Sequence, residues 1–488
     1  MKKAIKTKLI SIICLVVLIG TLQITVFAQS GVSDEAKEHI ISQLERANIP
    51  NSAVAIIRDG ETSYILENSQ YDTLFEIGST AKPFTAFGVL VLEEMGLLSV
   101  TDPVTMHLPW FETHYNGTPV PNEDMRIYNL LQHTSGLTHD ERRFPVFTVE
   151  TTDEFIVLYS GIELAFYPST NHLYSNANYV LLGILIETVT DLSYDEFMTQ
   201  YVLHPLGMYN TFTSIENAHA TGQAIGGYRR AFFRQTPVNI EYSPLLIPSG
   251  HIYSNISDMA RWTGIHMGLV DIPEQFVRVV ERSQENFHIS VDPFADFDFH
   301  HVAGGWLVWE DGDSIEHMGA TPGYFAIVRM LESENTAVVI LGNLGIMAPT
   351  VNQLGNIALD AVIDGNFDRV GVDFYVILDV VLNVAIIWGV ISLVKFIRLI
   401  VKTVKQIRDG HVVRYNEMRA KWLLDLVFGI AVLAGIYFVL PNIFSLPATL
   451  LIAVMPINLL IAIVFAWLDF AHSLFGLWTK MFVSPQKN

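Results

Sequence analysis

Residues 53–67 carry an apolar run, Ala53 to Ile57, and a second apolar group, Tyr64 to Leu66, on either side of Asp59-Gly60, which predicts two strands joined by a tight turn. The period then changes to that of a helix. From Thr80 to Met95 the residues Phe84, Phe87, Val91 and Leu92 fall on one apolar side, and Gly96 marks the stop. Residues 100–290 carry mostly helix and loop signals, with helical runs at 177–189, 194–203 and 257–267. Strand periodicity returns at 306–309, 314–319, 324–331 and 337–341, punctuated by Asp311-Gly312, Thr321-Pro322-Gly323 and Ser333-Glu334-Asn335. A helix over 351–363 closes the region. This order predicts an α+β domain: one antiparallel sheet flanked by helices, with a large helical insert. There is no internal repeat.

The two ends of the chain follow a different pattern. Lys2, Lys3, Lys6 and Lys8 precede an apolar stretch from Leu9 to about Phe27, and Val26-Phe27-Ala28 offers small residues for a signal peptidase. Residues 1–28 therefore read as a signal peptide cleaved after Ala28. The stretch is also long enough to span a bilayer as an uncleaved anchor. Either way the next segment is exported. Beyond Asp373, residues 374–394, 422–440 and 448–468 each suffice for a transmembrane helix. Between the first two lie Lys395, Arg398, Lys402, Lys405, Arg408, Arg414, Arg419 and Lys421, opposed only by Asp409 and Glu417. The positive-inside rule makes that stretch a cytoplasmic loop, which puts residues 29–368 outside, in agreement with the leader. The expected protein is a multi-pass cell-membrane protein with an extracytoplasmic domain at 29–368 and a membrane domain at 369–488. Asp379, Asp425 and Asn458 lie in or near the spans, where polar groups can mark function, but Asp379 and Asp425 read as helix-end residues.

Composition sharpens this division. Hydrophobic residues make up 50% of the 488 and charged residues 16%, with the apolar excess at the ends. Residues 29–368 hold 14 Lys or Arg against 44 Asp or Glu, a net charge of −30 that repels nucleic acid and other polyanions. Adaptation to salty or alkaline surroundings accounts for such a surface without reference to substrate. The single cysteine, Cys14, lies in the leader behind Ile13, too large for a lipoprotein signal, so the mature chain has neither a disulfide nor thiol chemistry.

The candidate chemistry begins at Gly78-Ser79-Thr80-Ala81-Lys82. A serine hydroxyl needs a base at neutral pH. Lys82 is three residues from Ser79 at a helix start, hence on the same face. The helix dipole favours an oxyanion and a neutral amine there, and a desolvated lysine can act as the base. Tyr174-Ser175-Asn176 supplies a phenol for proton relay and an amide to hold the lysine and a substrate carbonyl. His317-Met318-Gly319 ends a predicted strand, with a donor in His317 and room for substrate at Gly319. Each pattern also has a twin: Ser392 and Lys395, Tyr253-Ser254-Asn255, and His266-Met267-Gly268. Order and context select Ser79, Tyr174 and His317. No His-Glu-x-x-His spacing occurs, so neither metal nor cofactor is expected.

Ser-x-x-Lys, then Tyr-x-Asn, then a Lys-Thr-Gly or His-x-Gly strand resembles the serine β-lactamase and penicillin-binding protein superfamily. Longer segments are similar too: Leu130-Leu131-Gln132-His133-Thr134-Ser135-Gly136-Leu137, Pro248-Ser249-Gly250-His251-Ile252-Tyr253-Ser254, Asp258-Met259-Ala260-Arg261-Trp262 and Gly319-Ala320-Thr321-Pro322-Gly323. The resemblance covers residues 35–365, to the class C β-lactamase-related branch. It implies that Ser79 is acylated, that Lys82 is its base and Tyr174 the proton relay, and that Asn176, His317 and Gly319 bind substrate. It also implies that the backbone N–H groups of Ser79 and Ala320 form the oxyanion hole. His317 stands where β-lactamases carry lysine, a departure similar to the esterase, D-aminopeptidase and carboxypeptidase branch. His133 reads as structural.

The function implied is a membrane-tethered serine hydrolase acting on D-Ala peptides or esters of the cell envelope. Its partners would be a small peptide or ester, peptidoglycan-derived substrates included, and membrane lipid, with no nucleic acid. Two alternatives stand beside it: a β-lactamase, and a non-catalytic sensor signalling through the membrane helices.

Overall fold

The structure is a computed structural model that describes residues 31–138, 146–147, 149–238, 240, 242–285, 299–309, 313–409, 458–459, 461–468 and 472. Helix α1 (Asp34–Arg46) leads into β1 (Ser52–Arg58) and β2 (Glu61–Glu67). Asp59 and Gly60 join these strands at φ 51° and 80°, the two left-handed positions of a type I′ hairpin turn. The two-residue strand β3 (Phe75–Glu76) precedes one 3-10 turn, Gly78–Ala81, and α2 (Lys82–Glu94). The insert contains α3 (Asn176–Thr190), the hairpin β4 (Tyr228–Ala231) and β5 (Arg234–Pro237), β6 (Tyr253–Ser254) and α4 (Ile256–His266). Five strands follow: β7 (Phe299–Ala303), β8 (Trp306–Trp309), β9 (Ser314–Ala320), β10 (Phe325–Leu331) and β11 (Thr336–Gly342). Helices α5 (Ala348–Ile363) and α6 (Phe374–Arg408) complete the order.

Seven strands form one sheet in the order β7-β8-β9-β10-β11-β1-β2, with antiparallel neighbours throughout. The central strands read as nearly unbroken apolar runs because both faces are covered. Ala53, Ala55 and Ile57 of β1 belong to the core under the insert, while Val54 and Ile56 point to the core under α1 and α5. Strand β11 repeats the alternation, with Ala337, Val339 and Leu341 on one side and Val338 and Ile340 on the other. The period of two thus assigns each side chain to a layer. The α+β architecture read from the sequence is the one observed. Strand β7, absent from that reading, extends the sheet at one edge.

Helix α2 departs from the expected amphipathic pattern. Every residue from Lys82 to Leu92 is buried, so the helix runs through the core rather than along it. Phe84 stacks on Trp262 of α4 with centroids 4.0 Å apart.

The hairpin β4–β5 ties distant parts together. The Tyr228 N–H donates to Gly323 O and Asn343 O, and Tyr228 O accepts from Gly345 N–H. At the other end, Phe233 N–H donates to Asp379 Oδ2 of α6 at 2.7 Å.

The C-terminal region alters the sequence reading. Helix α6 is long and apolar enough over Phe374–Lys405 to cross a membrane, and it is the single such helix among the described residues. It does not end at residue 394. Lys395, Arg398, Lys402, Lys405 and Arg408 continue it instead of opening a loop, as good helix formers with no intervening glycine or proline. Three crossings are therefore not established. The span at 422–440 and Asp425 lie outside the described residues, and 448–468 is described only in its second half, where helix recurs. The leader, residues 1–28, is also outside them. Asp379 is more than a helix-end residue: it is buried and accepts from Asn383 Nδ2 and Asn458 Nδ2 at 2.8 and 2.6 Å.

Candidate active site

Ser79 lies in the 3-10 turn that opens α2, and Lys82 is the first residue of that helix. One helical turn separates them, so both side chains leave the same face. Lys82 Nζ reaches Ser79 Oγ at 3.2 Å, Asn176 Oδ1 at 2.9 Å and Ser249 O at 2.5 Å. Thr85, one turn further on, donates to the adjoining carbonyl of Pro248 at 2.7 Å. The turn Ile247–Gly250 is thereby fastened along one edge of α2. Lys82 is fully buried, and loss of hydration drives its pKa well below the ordinary lysine value.

Three acceptors around Nζ match the three donors of an ammonium. A neutral amine keeps two of those bonds and turns its lone pair toward the third partner. If that partner is Ser79, the amine is placed to take the hydroxyl proton. Tyr174 supplies the other contact: its hydroxyl donates to Ser79 Oγ at 2.8 Å. Burial raises the Tyr174 pKa far above the ordinary phenol value, so it stays protonated. The Lys82 amine also sits over the rings of Tyr174 and Tyr179, 4.7 and 5.4 Å from their centroids.

Tyr174 and Asn176 project from the start of α3, where Ser175 is the N-cap residue. His133 sets this corner. It sits at φ 57°, and its Nδ1 accepts from Ser175 N–H at 3.2 Å and Asn178 Nδ2 at 3.0 Å. Its ring packs 4.5 Å from that of Tyr174. Both nitrogens bonded to Nδ1 belong to the α3 corner, which agrees with the structural reading of His133.

His317 and Gly319 are alternate residues of β9 and share one side of the strand. His317 is buried beside Lys82, and desolvation, reinforced by that amine, pushes its pKa down to about 3. It is therefore a neutral imidazole at physiological pH, with Nδ1 2.8 Å from Met318 O. Strand β9 pairs with β8 at Ile315 and Glu316 and no further, so the outer edge of His317–Ala320 is not used by that neighbour. Just before this edge, Glu316 forms a buried ion pair with Arg329 directly across on β10.

The glycines show how closely the nucleophile turn meets β9. A Cβ on Gly319 would lie 2.1 Å from Ile77 O and 2.8 Å from Ser79 N. One on Gly78, already at φ 55°, would lie 2.9 Å from Ala320 N. The backbone N–H groups of Ser79 and Ala320 thus belong to two segments in direct contact, the arrangement an oxyanion hole needs.

All residues singled out as site candidates converge here. The twins do not. Tyr253 pairs with Glu76 in the β3–β6 ladder, and the Asn255 side chain caps α4. His266 is inside α4, with Nδ1 3.0 Å from Trp262 O. Ser392 lies in α6 against His472, 3.0 Å away. Three participants had no individual signal in the sequence. Ser249 acts through its carbonyl and Tyr179 through its ring. Glu76 Oε1 meets His251 Nδ1 at 3.2 Å, joining the strand before Ser79 to the turn after Ser249.

Residues 36–360 match the family described as Beta-lactamase. The chain is 27% identical over 317 residues to Protein flp of Staphylococcus aureus (strain MW2), covering 62% of this chain and 61% of that protein. It is 25% identical over 295 residues to Penicillin-binding protein 4* of Bacillus subtilis (strain 168), covering 55% and 60%. The chain thus spans about three fifths of the length of these curated relatives. Among solved structures, a class C beta-lactamase superposes with a TM-score of 0.58 at 19% identity, covering 67% of this chain and 96% of that one. A class C beta-lactamase in complex with cefoxitin gives the same score and identity over 100% of its length. At that identity the likeness is one of fold.

Proposed function

The chain belongs to the Beta-lactamase family, within the superfamily of serine β-lactamases and penicillin-binding proteins, and on that premise we propose that it is an extracytoplasmic serine hydrolase working through a Ser79 acyl-enzyme. The observation that carries the reading is the contact of Ser79 Oγ with both a desolvated Lys82 and a protonated Tyr174.

In the proposed cycle, neutral Lys82 takes the Ser79 proton as Oγ bonds to the substrate carbonyl carbon. The carbonyl electron pair moves onto oxygen, which the Ser79 and Ala320 N–H groups stabilise. Collapse expels the leaving group, which receives a proton through Tyr174, itself reprotonated from the Lys82 ammonium. Water then adds to the acyl-enzyme with the same groups in reverse order, releasing the acid and restoring Ser79. Asn176 holds the amine and a substrate carbonyl, while the outer edge of β9 at His317–Gly319 receives substrate backbone.

We assign the substrate class as D-Ala peptides or short acyl esters of the cell envelope. A neutral His317 offers no fixed cation to a substrate carboxylate, which within this class favours acyl esters and peptides without a free terminal carboxylate, and disfavours a β-lactamase. The domain boundaries at 29–368 and 369–488 are part of the proposal, with α6 as the tether in the cell membrane and two further crossings after it. The test is labelling of Ser79 by a fluorescent phosphonate, read by mass spectrometry, followed by turnover of D-Ala peptides, acyl esters and a chromogenic cephalosporin. Retention of ester or peptide turnover by Ser79→Ala would sink the reading.

A further inference from the structure

The two residues joining β4 to β5 are Phe232 and Phe233, both left-handed, at φ 54° and 61°. Two-residue turns of this kind favour Asn-Gly, because bulky side chains at positive φ are strained. Packing covers these rings only in part: Phe232 is 38% exposed and Phe233 66%. A strained, exposed aromatic pair calls for a reason outside the fold itself.

The position of the pair supplies one. The Phe233 N–H is bound to Asp379, the sixth residue of α6, about 8 Å along the helix axis from its start. Asp379 is in turn buried with Asn383 and Asn458, so the tip is docked on the apolar helix at a defined level. The junction and the start of that helix also expose apolar side chains: Val372, Phe374, Ile377 and Val381. Charge points the same way. Arg229, Arg230 and Arg234 are three of the 14 cations in a domain holding 44 carboxylates. Arg230 is used internally, donating to Ala47 O, and Arg229 lies beside Tyr242. Arg234 is exposed next to the rings.

We propose that the Phe232–Phe233 tip is a second membrane contact, with its rings in the boundary between headgroups and acyl chains and Arg234 among anionic headgroups. Aromatic rings favour that boundary, and an exposed cation beside them is attracted by an anionic leaflet. The inference rests on reading α6 as a membrane span. Lipid is favoured over a protein partner because the tip is bonded to a helix apolar enough to cross a membrane, near that helix's start.

The test uses the full chain carrying Cys14→Ser, which leaves no other cysteine. Phe233→Cys or Val380→Cys is labelled with nitrobenzoxadiazole and reconstituted in phosphatidylcholine–phosphatidylglycerol vesicles. Val380 is exposed on α6 and reports the span itself. Blue-shifted emission at both positions, quenched by spin-labelled lipid and resistant to aqueous iodide, is the expected result. Lipid quenching at 380 with iodide quenching at 233 overturns this inference and leaves the span intact. Iodide quenching at both positions overturns the span. A 233 probe shielded from both quenchers points to a protein partner and also overturns the proposal. Phe232→Cys repeats the measurement if Phe233→Cys fails to fold.

Discussion

The Tyr174 hydroxyl donates to Ser79 Oγ at 2.8 Å although 95 residues separate them, and Lys82 Nζ reaches the same oxygen at 3.2 Å. Burial acts oppositely on these two neighbours. It drives the amine toward its neutral form and holds the phenol in its protonated form. In the proposed cycle the pair would therefore divide into a proton acceptor and a proton carrier before substrate arrives.

That division predicts unequal losses. Lys82→Met should lower the rate of Ser79 acylation by ~10⁴-fold, and Tyr174→Phe by ~10²-fold. Lys82→Arg should fail to rescue, since guanidinium does not give up its proton. Stopped-flow acylation by a chromogenic ester measures all three.

The pH profile of acylation has a predicted origin. The rate should rise as pH climbs through the lowered Lys82 pKa and level off above it, well short of the ordinary lysine range. His317, held at about 3, should contribute no inflection between about pH 5 and 8. His317→Gln should change the height of the profile without moving its limb.

Stability should weaken in acid through His266. Its pKa is pushed down to about 4 by burial, against about 6.5 in the unfolded chain. The unfolded state binds the extra proton between those values, so stability is complete above about pH 6.5 and falls as pH drops toward 4. Thermal melts of His266→Gln should show a shallower decline in Tm over that range. Some slope should persist, because His317 shifts in the same direction.

At Gly319 there is no room for a methyl group. The Cβ of Gly319→Ala would stand 2.1 Å from Ile77 O, so β9 and the Ser79 turn must part. The expected cost in stability is about 1–3 kcal/mol. Acylation should fall by ~10²-fold, because small displacements of reacting groups are amplified in rate. Urea denaturation and ester kinetics on the same preparation separate the two effects.

Glu316 and Arg329 form a buried pair that fixes the register of β9 one residue before His317. Glu316→Ala would take the directly paired carboxylate from the buried guanidinium and leave it the Asn352 amide oxygen, with an expected loss of about 3 kcal/mol in chemical denaturation.

Much of this was legible from side-chain patterns. Short apolar runs bounded by turn residues placed β1, β2, β8, β9, β10 and β11, since a central strand covered on both faces needs apolar residues for each. Asp59-Gly60 fixed the first hairpin for the same local reason. The site was legible wherever chemistry resides in a side chain, as at Ser79, Lys82, Tyr174, Asn176 and His317. It was silent where the backbone acts: the Ser249 carbonyl that holds Lys82 could belong to any residue type. Strand β7, Phe299–Ala303, has two adjacent histidines that break any period, and the ladder between β3 and β6 is too short to carry one. The end of α6 was misplaced because lysine and arginine signal a membrane boundary, not a helix boundary.

The hairpin from Tyr228 to Phe233 has a consequence for which substrates can be reached. Its base is bonded to the turn after the substrate-facing strand, at Gly323, and its tip to Asp379 in the apolar helix. The four strand residues between them, Tyr228–Ala231, measure about 13 Å. On the membrane reading the hairpin acts as a strut of fixed length, holding the catalytic mouth at a set height above the lipid. If the proposed function holds, such an enzyme would sort substrates by altitude as well as by chemistry, serving acyl groups presented in a thin layer of the envelope and passing over the same bond held further out.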